Sequence, residues 1–302
     1  MPDLPSELPI AIPEDFKEFW IEAVEEANAC PLDYSRSRQA EFTLPGFLIE
    51  LIEFRNSEGR RFHGWVAYQA GAFQDPGFLW LAPYGRESML PNQYGTRHGF
   101  VSLSFNFHGH PAFHQEKYEP ARGYFAEGAD SPETWIFRRM FKDSIIAARI
   151  LADLPETNEK RLASMGMSQG GGMSVWLGAW CDLIRAVCAD MPFLGNLNET
   201  LDRKVYRFPT RELIEFMNSL PLGRERIGNT AAYYDTVHHA HFCKKPTQVS
   251  LGLKDPAATP ENVRMIFDEL SGEKNLIAYE IGHDWTPLMV ESNREWLIEN
   301  LT

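Results

Sequence analysis

The sequence predicts an α/β fold on a mostly parallel sheet, and three observations carry that reading. Short apolar runs alternate with helix-patterned segments of about 10 to 15 residues through most of the chain, the signature of crossover units. Those runs lack the in-out alternation of half-exposed strands, as befits strands covered on both faces. A Gly-x-Ser-x-Gly pentad, Gly166-Met167-Ser168-Gln169-Gly170, falls at one of the strand-to-helix junctions.

Composition admits such a fold. Of 302 residues 44% are hydrophobic and 24% charged, and 20 Pro with 22 Gly are too few for a disordered or collagen-like chain. No repeat, low-complexity tract or Gly/Ser/Pro linker divides the sequence. One continuous domain over residues 1–302 is expected, with 1–30 an N-terminal arm and helix packed on it.

Taken in order, a Pro-rich arm precedes Phe16, Phe19, Trp20 and Val24, spaced as the apolar stripe of an amphipathic helix. Residues 47–54 and 61–68 are rich in β-formers on either side of Asn56-Ser57-Glu58-Gly59, which predicts a hairpin. Residues 78–82 and 100–105 read as covered strands. Ser131-Pro132 is a helix-start signature, and the helix is expected to run to about Leu154. Strands at 162–166 and 184–189 flank a helix at 170–180. A strand at 247–253, a helix opened by Thr259-Pro260-Glu261, a strand at 276–281 and a helix at 288–301 complete the alternation.

Charge and composition exclude several functions. With 29 Lys and Arg against 42 Asp and Glu, the net charge of -13 repels a phosphate backbone, and no basic cluster offsets it. Nucleic acid is not an expected partner. Residues 1–12 lack the basic start and apolar core of a signal peptide, and no window reaches the ~18 apolar residues of a membrane span. A cytoplasmic protein with no membrane partner is expected. Its 4 cysteines show no Cys-x-x-Cys spacing and are expected to be reduced thiols.

A serine hydroxyl is a poor nucleophile at neutral pH. It needs an imidazole within hydrogen-bond reach and an acid to hold that imidazole's tautomer. Asp255 follows the strand ending near Leu253, and His283 follows the strand ending at Ile281, so both fall on loops at strand C-termini, where α/β sites form. The chain order Ser168, Asp255, His283 is that of the α/β-hydrolase fold. Asp284 is a rival acid, but adjacent side chains in an extended loop diverge, which favours Asp255. Two amides should hold the developing oxyanion: that of Gln169, next to the nucleophile, and that of Tyr84, in the loop after an earlier strand.

Ser168-Gln169-Gly170-Gly171-Gly172, followed by Ala189-Asp190-Met191-Pro192-Phe193-Leu194, resembles the acetyl xylan esterase and cephalosporin C deacetylase family of carbohydrate esterases. Pro13-Glu14-Asp15-Phe16-Lys17-Glu18-Phe19-Trp20, Tyr233-Tyr234-Asp235-Thr236-Val237 and Gly252-Leu253-Lys254-Asp255-Pro256 resemble further stretches of it. The resemblance implies an α/β-hydrolase that deacetylates sugars or similar alcohols, assembled as a homo-oligomer. It also implies nucleophile, acid and base at Ser168, Asp255 and His283, with oxyanion amides at Tyr84 and Gln169. Pro192, Phe193 and Trp285 are the expected substrate-binding residues.

Three departures from the family pattern stand out. Ala82-Pro83 replaces His-Gly before Tyr84, Asn106-Phe107-His108-Gly109-His110-Pro111 replaces Asp-x-Arg-Gly-Gln-Gly, and Asp284-Trp285 replaces Glu-Gly after His283.

Two histidine clusters compete for attention: His108, His110 and His114, and then His238, His239 and His241 with Cys243. The first lacks the acidic partner of a two-metal hydrolase, and the second is expected to cap or flank a helix. No metal or cofactor is therefore expected. The leading expectation is a serine esterase on small acyl esters. A peptidase or thioesterase on the same fold and a non-catalytic binding protein are the alternatives.

Overall fold

The computed structural model describes residues 12–39, 42–116 and 123–301. The N-terminal arm at 1–12 lies, but for Ile12, outside them. In chain order the elements are α1 (Phe16–Ala29), β1 (Tyr34–Arg38), β2 (Leu48–Arg55), β3 (Arg61–Tyr68), β4 (Asp75–Leu81), β5 (Val101–Phe105), α2 (Ile136–Asp153), β6 (Thr157–Met167) and α3 (Gln169–Trp180). There follow β7 (Ile184–Asp190), α4 (Leu197–Asp202), α5 (Thr210–Ser219), α6 (Gly223–Tyr234), α7 (Thr236–Phe242), β8 (Thr247–Gly252), α8 (Pro260–Glu269), β9 (Lys274–Tyr279) and α9 (Pro287–Leu301). The strands form one sheet in the order β1-β2-β3-β5-β4-β6-β7-β8-β9. Pairings from β1 to β5 through β3 are antiparallel, and every pairing from β5 through β4 to β9 is parallel.

Local chemistry explains the elements. In the β2–β3 turn the Asn56 side-chain oxygen Oδ1 accepts from the Glu58 and Arg60 amides at 3.1 and 2.9 Å, which closes the hairpin. Strands β5, β7 and β8 are buried almost throughout, so no alternation survives in their sequences. On α1 the buried stripe is Phe16, Phe19, Trp20, Ala23 and Ala27; Val24 sits only half-buried at its margin. The Trp20 indole donates to the Tyr233 carbonyl at 3.0 Å, and Arg138 of α2 bridges Glu22 and Glu26 of α1.

The expected helix start at Ser131 is displaced to Ile136. Residues 131–135 form turns instead, because Thr134 Oγ1, the Trp135 indole and the Ile136 amide donate to the carbonyls of Gly128, Phe125 and Glu127 at 2.8, 2.7 and 2.9 Å. The edge strand β1 and the helices between β7 and β8 add to the expected set. His238, His239 and His241 do not cap or flank a helix; they lie within α7, whose N-cap is Asp235, its carboxylate accepting from the Val237 amide at 3.0 Å. His238 and His239 are buried there.

Candidate active site

The strand β6 ends at Met167, and the chain turns abruptly into α3 at Ser168, whose backbone has φ 57° and ψ -120°. Few non-glycine residues adopt a positive φ, and such strain is held only where its surroundings over-determine it. Here the Ser168 amide donates to the Asp190 carbonyl at 2.9 Å, and the Ser168 carbonyl accepts from the Gly172 and Phe193 amides at 3.0 and 2.9 Å. The flanking glycines are a steric requirement. A Cβ at Gly166 would lie 2.6 Å from the Gly170 and Leu81 backbones, and one at Gly170 would lie 2.1 Å from the Leu81 carbonyl oxygen.

The three remote residues meet at the C-terminal rim of the parallel strands. His283 Nε2 is 2.9 Å from Ser168 Oγ, and His283 Nδ1 is 2.6 Å from Asp255 Oδ2. Asp255 is fully buried at its side chain, while its Oδ1 accepts from the Ala257 and Ala258 amides at 2.7 and 3.0 Å. These bonds fix the carboxylate and leave Oδ2 for the imidazole. Asp284 points elsewhere and accepts from the Trp285 amide at 2.8 Å. Backbone bonds from Leu253 to Tyr279 and from Lys254 to Ile281, at 2.9 and 3.0 Å, carry the β8–β9 pairing past the strand ends and hold the two loops together.

Above Ser168 opens a cavity of about 320 Å³, lined by Tyr84, Phe193, Arg207, Phe208, Pro209, His283 and Trp285 among others. Its size fits a small ligand or one sugar ring with its substituents. Of the three residues expected to bind substrate, Phe193 and Trp285 line this cavity and Pro192 does not. Pro192 is buried beside α3, where its Cα would lie 3.1 Å from a Cβ at Gly171. Trp285 is held by stacking on Tyr94 at 5.1 Å between ring centroids. The wall formed by Arg207, Phe208 and Pro209 lies between α4 and α5, a stretch to which sequence reasoning assigned no role.

Tyr124 and Glu212 are further residues that sequence reasoning missed. The Tyr124 hydroxyl donates to the Gln169 side-chain oxygen at 3.1 Å and accepts from the Gly85 amide at 3.3 Å, bridging the two segments that carry the expected oxyanion amides. Glu212 accepts from the Tyr84 hydroxyl and from the Phe125 amide, and burial pushes its carboxyl above the usual range. Neither residue belongs to a motif, so no sequence signal marks it.

The cluster of His108, His110 and His114 lies outside the lining of the Ser168 cavity. The acidic partner missing from its sequence pattern is Glu116, whose carboxylate is 3.2 Å from His114 Nε2 and 3.8 Å from His110 Nε2.

Comparison with known proteins decides the lineage. The sequence profile of the acetyl xylan esterase (AXE1) family matches residues 9–299. The chain belongs to the acetyl xylan esterase family. Among relatives of this family, the acetyl esterase Axe7A of Xylanibacter ruminicola is 24% identical over 288 residues, covering 91% of this chain. The chain spans 64% of that relative's length. The acetyl xylan esterase of Paenibacillus sp. R4 superposes with a TM-score of 0.87 at 20% identity, over 98% of this chain and 97% of that one. Acetyl xylan esterase 1 of Thermoanaerobacterium sp. JW/SL YS485 gives 0.83 at 21% identity, over 96% and 95%. The α/β-hydrolase fold expected from the sequence is thus the fold this family member has, with antiparallel strands leading into a parallel sheet. Among the described residues no helix is long and apolar enough to cross a membrane.

Proposed function

We propose that the protein is a serine carboxylic-ester hydrolase that removes acetyl and similarly small acyl groups from sugars or comparable alcohols. The observation that carries this reading is the continuous relay from Ser168 Oγ through His283 to the buried Asp255, with contacts of 2.9 and 2.6 Å. His283 takes the Ser168 proton as the hydroxyl attacks the ester carbonyl, and Asp255 holds the imidazole in the tautomer that can accept it. The Tyr84 and Gln169 amides stabilise the negative oxygen of the tetrahedral intermediate. The alcohol leaves with the proton from His283, giving an acyl-serine. Water, activated by the same imidazole, then attacks the acyl-serine and releases the acid.

Family membership supports acetyl esters as the substrate class. The aromatic walls supplied by Phe193, Phe208 and Trp285 suit the apolar faces of a sugar ring. A cytoplasmic homo-oligomer belongs to the same proposal. Four free cysteines, Cys30 half-buried and the rest buried, suit a reducing compartment, and the family resemblance favours the assembly.

The test is hydrolysis of activated esters with acyl chains of two to eight carbons. Acetyl should react fastest, and Ser168→Ala should lose about 10⁵- to 10⁶-fold in kcat. Equal rates for wild type and variant would remove the serine mechanism, and a preference for long acyl chains or amides would move the protein to the thioesterase or peptidase reading.

A further inference from the structure

We propose that His110, His114 and Glu116 form a binding site for a divalent transition ion, zinc above all, outside the lining of the cavity above Ser168. One nitrogen of each imidazole and one carboxylate oxygen lie within 4.8 Å of one another. The shortest contacts are 3.2 Å from Glu116 Oε2 to His114 Nε2 and 3.8 Å from the same oxygen to His110 Nε2. Zinc bonds of ~2.0 to 2.2 Å in a tetrahedron separate neighbouring ligand atoms by roughly 3.3 to 3.6 Å, so small side-chain rotations seat an ion. Two imidazoles and one carboxylate are a borderline donor set that suits zinc, and partial exposure leaves the fourth position to water.

His108, which shares the sequence pattern, is a prop and not a ligand. Its Nδ1 accepts from the His110 amide at 3.3 Å, and its ring also hydrogen-bonds the Glu87 backbone. Asn106 braces the same loop by donating to the His110 and Pro111 carbonyls at 2.9 and 2.8 Å. Arg86 approaches the Glu116 oxygen at 3.7 Å, long for a committed ion pair, and the second carboxylate oxygen can serve it once an ion is bound. The loop is laced to the segment after Tyr84. The Ser88 amide donates to the His114 carbonyl at 2.8 Å, and Gln115 Nε2 donates to the Ser88 carbonyl at 2.9 Å. A bound ion therefore pins the support of the Tyr84 loop.

The experiment is titration of tag-free, EDTA-stripped, dialysed full-length protein with zinc chloride, read by calorimetry and by the thermal midpoint. Wild type should bind one zinc per chain saturably and gain thermal stability as it does. His114→Ala should abolish both effects, Glu116→Gln should weaken binding by about tenfold or more, and His241→Ala should change neither. Glu116→Gln, a near-isosteric change that keeps the side chain's volume, serves as the readout if the histidine variant folds poorly. Absence of saturable binding, or equal binding by wild type and Glu116→Gln, would overturn the assignment, whatever the esterase activity.

Discussion

The strained backbone of Ser168 is stabilised by three backbone hydrogen bonds, and the same economy extends to Tyr124. One hydroxyl accepts from Gly85 and donates to Gln169, so it sets the separation of the two amides proposed to hold the oxyanion. Tyr124→Phe keeps the ring and removes both contacts. Its kcat for an acetyl ester should fall by about tenfold with KM nearly unchanged, less than the ~100- to 1,000-fold cost of losing a donor outright. A ring that served only to fill space would leave kcat unmoved. At this scale the legible residues were those just past strand ends: Ser168, Asp255 and His283 each follow an apolar run, which fixes their place on the rim. Tyr124 and Glu212 were not legible, because they act on partners 45 and 128 residues away through side-chain contacts that no local pattern records. Glu116 is not legible either, because it sits two places beyond His114, outside the spacing of the histidines.

Helix α2 carries a carboxyl where its packing face meets the β2–β3 turn. Asp143 accepts from the Asn56 side chain at 3.0 Å, and its other oxygen lies 3.9 Å from Arg139 Nε. Burial outweighs both partners and raises its pKa to about 7. The folded state therefore holds a proton that the unfolded chain releases near pH 4. Between about pH 4 and pH 7 the native state binds more protons, so this group's contribution to stability is full below that window and declines as pH rises through it, by at most ~1.4 kcal/mol per unit. Asp143→Asn should flatten the decline in unfolding free energy across that range, measured by denaturant titration at each pH. An unchanged slope would contradict the assignment. Elements with strong caps or long apolar stripes were legible, as at Thr259, whose hydroxyl accepts from the Asn262 amide at 3.4 Å to open α8. Helices α4, α5 and α6 were not, because their N-caps are Asn196, Pro209 and Leu222, none of which makes a side-chain cap bond.

Across the whole molecule, a buried polar chain couples the strands to the helix that follows His283. Asp190 of β7 accepts from Ser250 of β8 and from Asn293 of α9, both at 2.7 Å, and Gln248 donates to Asn293 at 2.9 Å. Burial raises the Asp190 pKa, and the Ser250 and Asn293 hydrogen bonds oppose that rise. Asn293→Leu strips a donor from a buried carboxylate and should cost about 3 kcal/mol of unfolding free energy, seen as a lower denaturant midpoint. The alternation of strand and helix announced the sheet, but not that β5 would insert between β3 and β4, since strand order depends on crossovers and not on spacing. That order brings a serine, an aspartate and a histidine separated by up to 115 residues to one rim. The most direct measurement of their convergence is peptide mass spectrometry after exposure to a fluorophosphonate, which reacts only with an activated serine. A single adduct on Ser168, absent when His283→Ala is treated identically, is the predicted result. An unlabelled Ser168, or labelling that persists without the imidazole, would contradict the account.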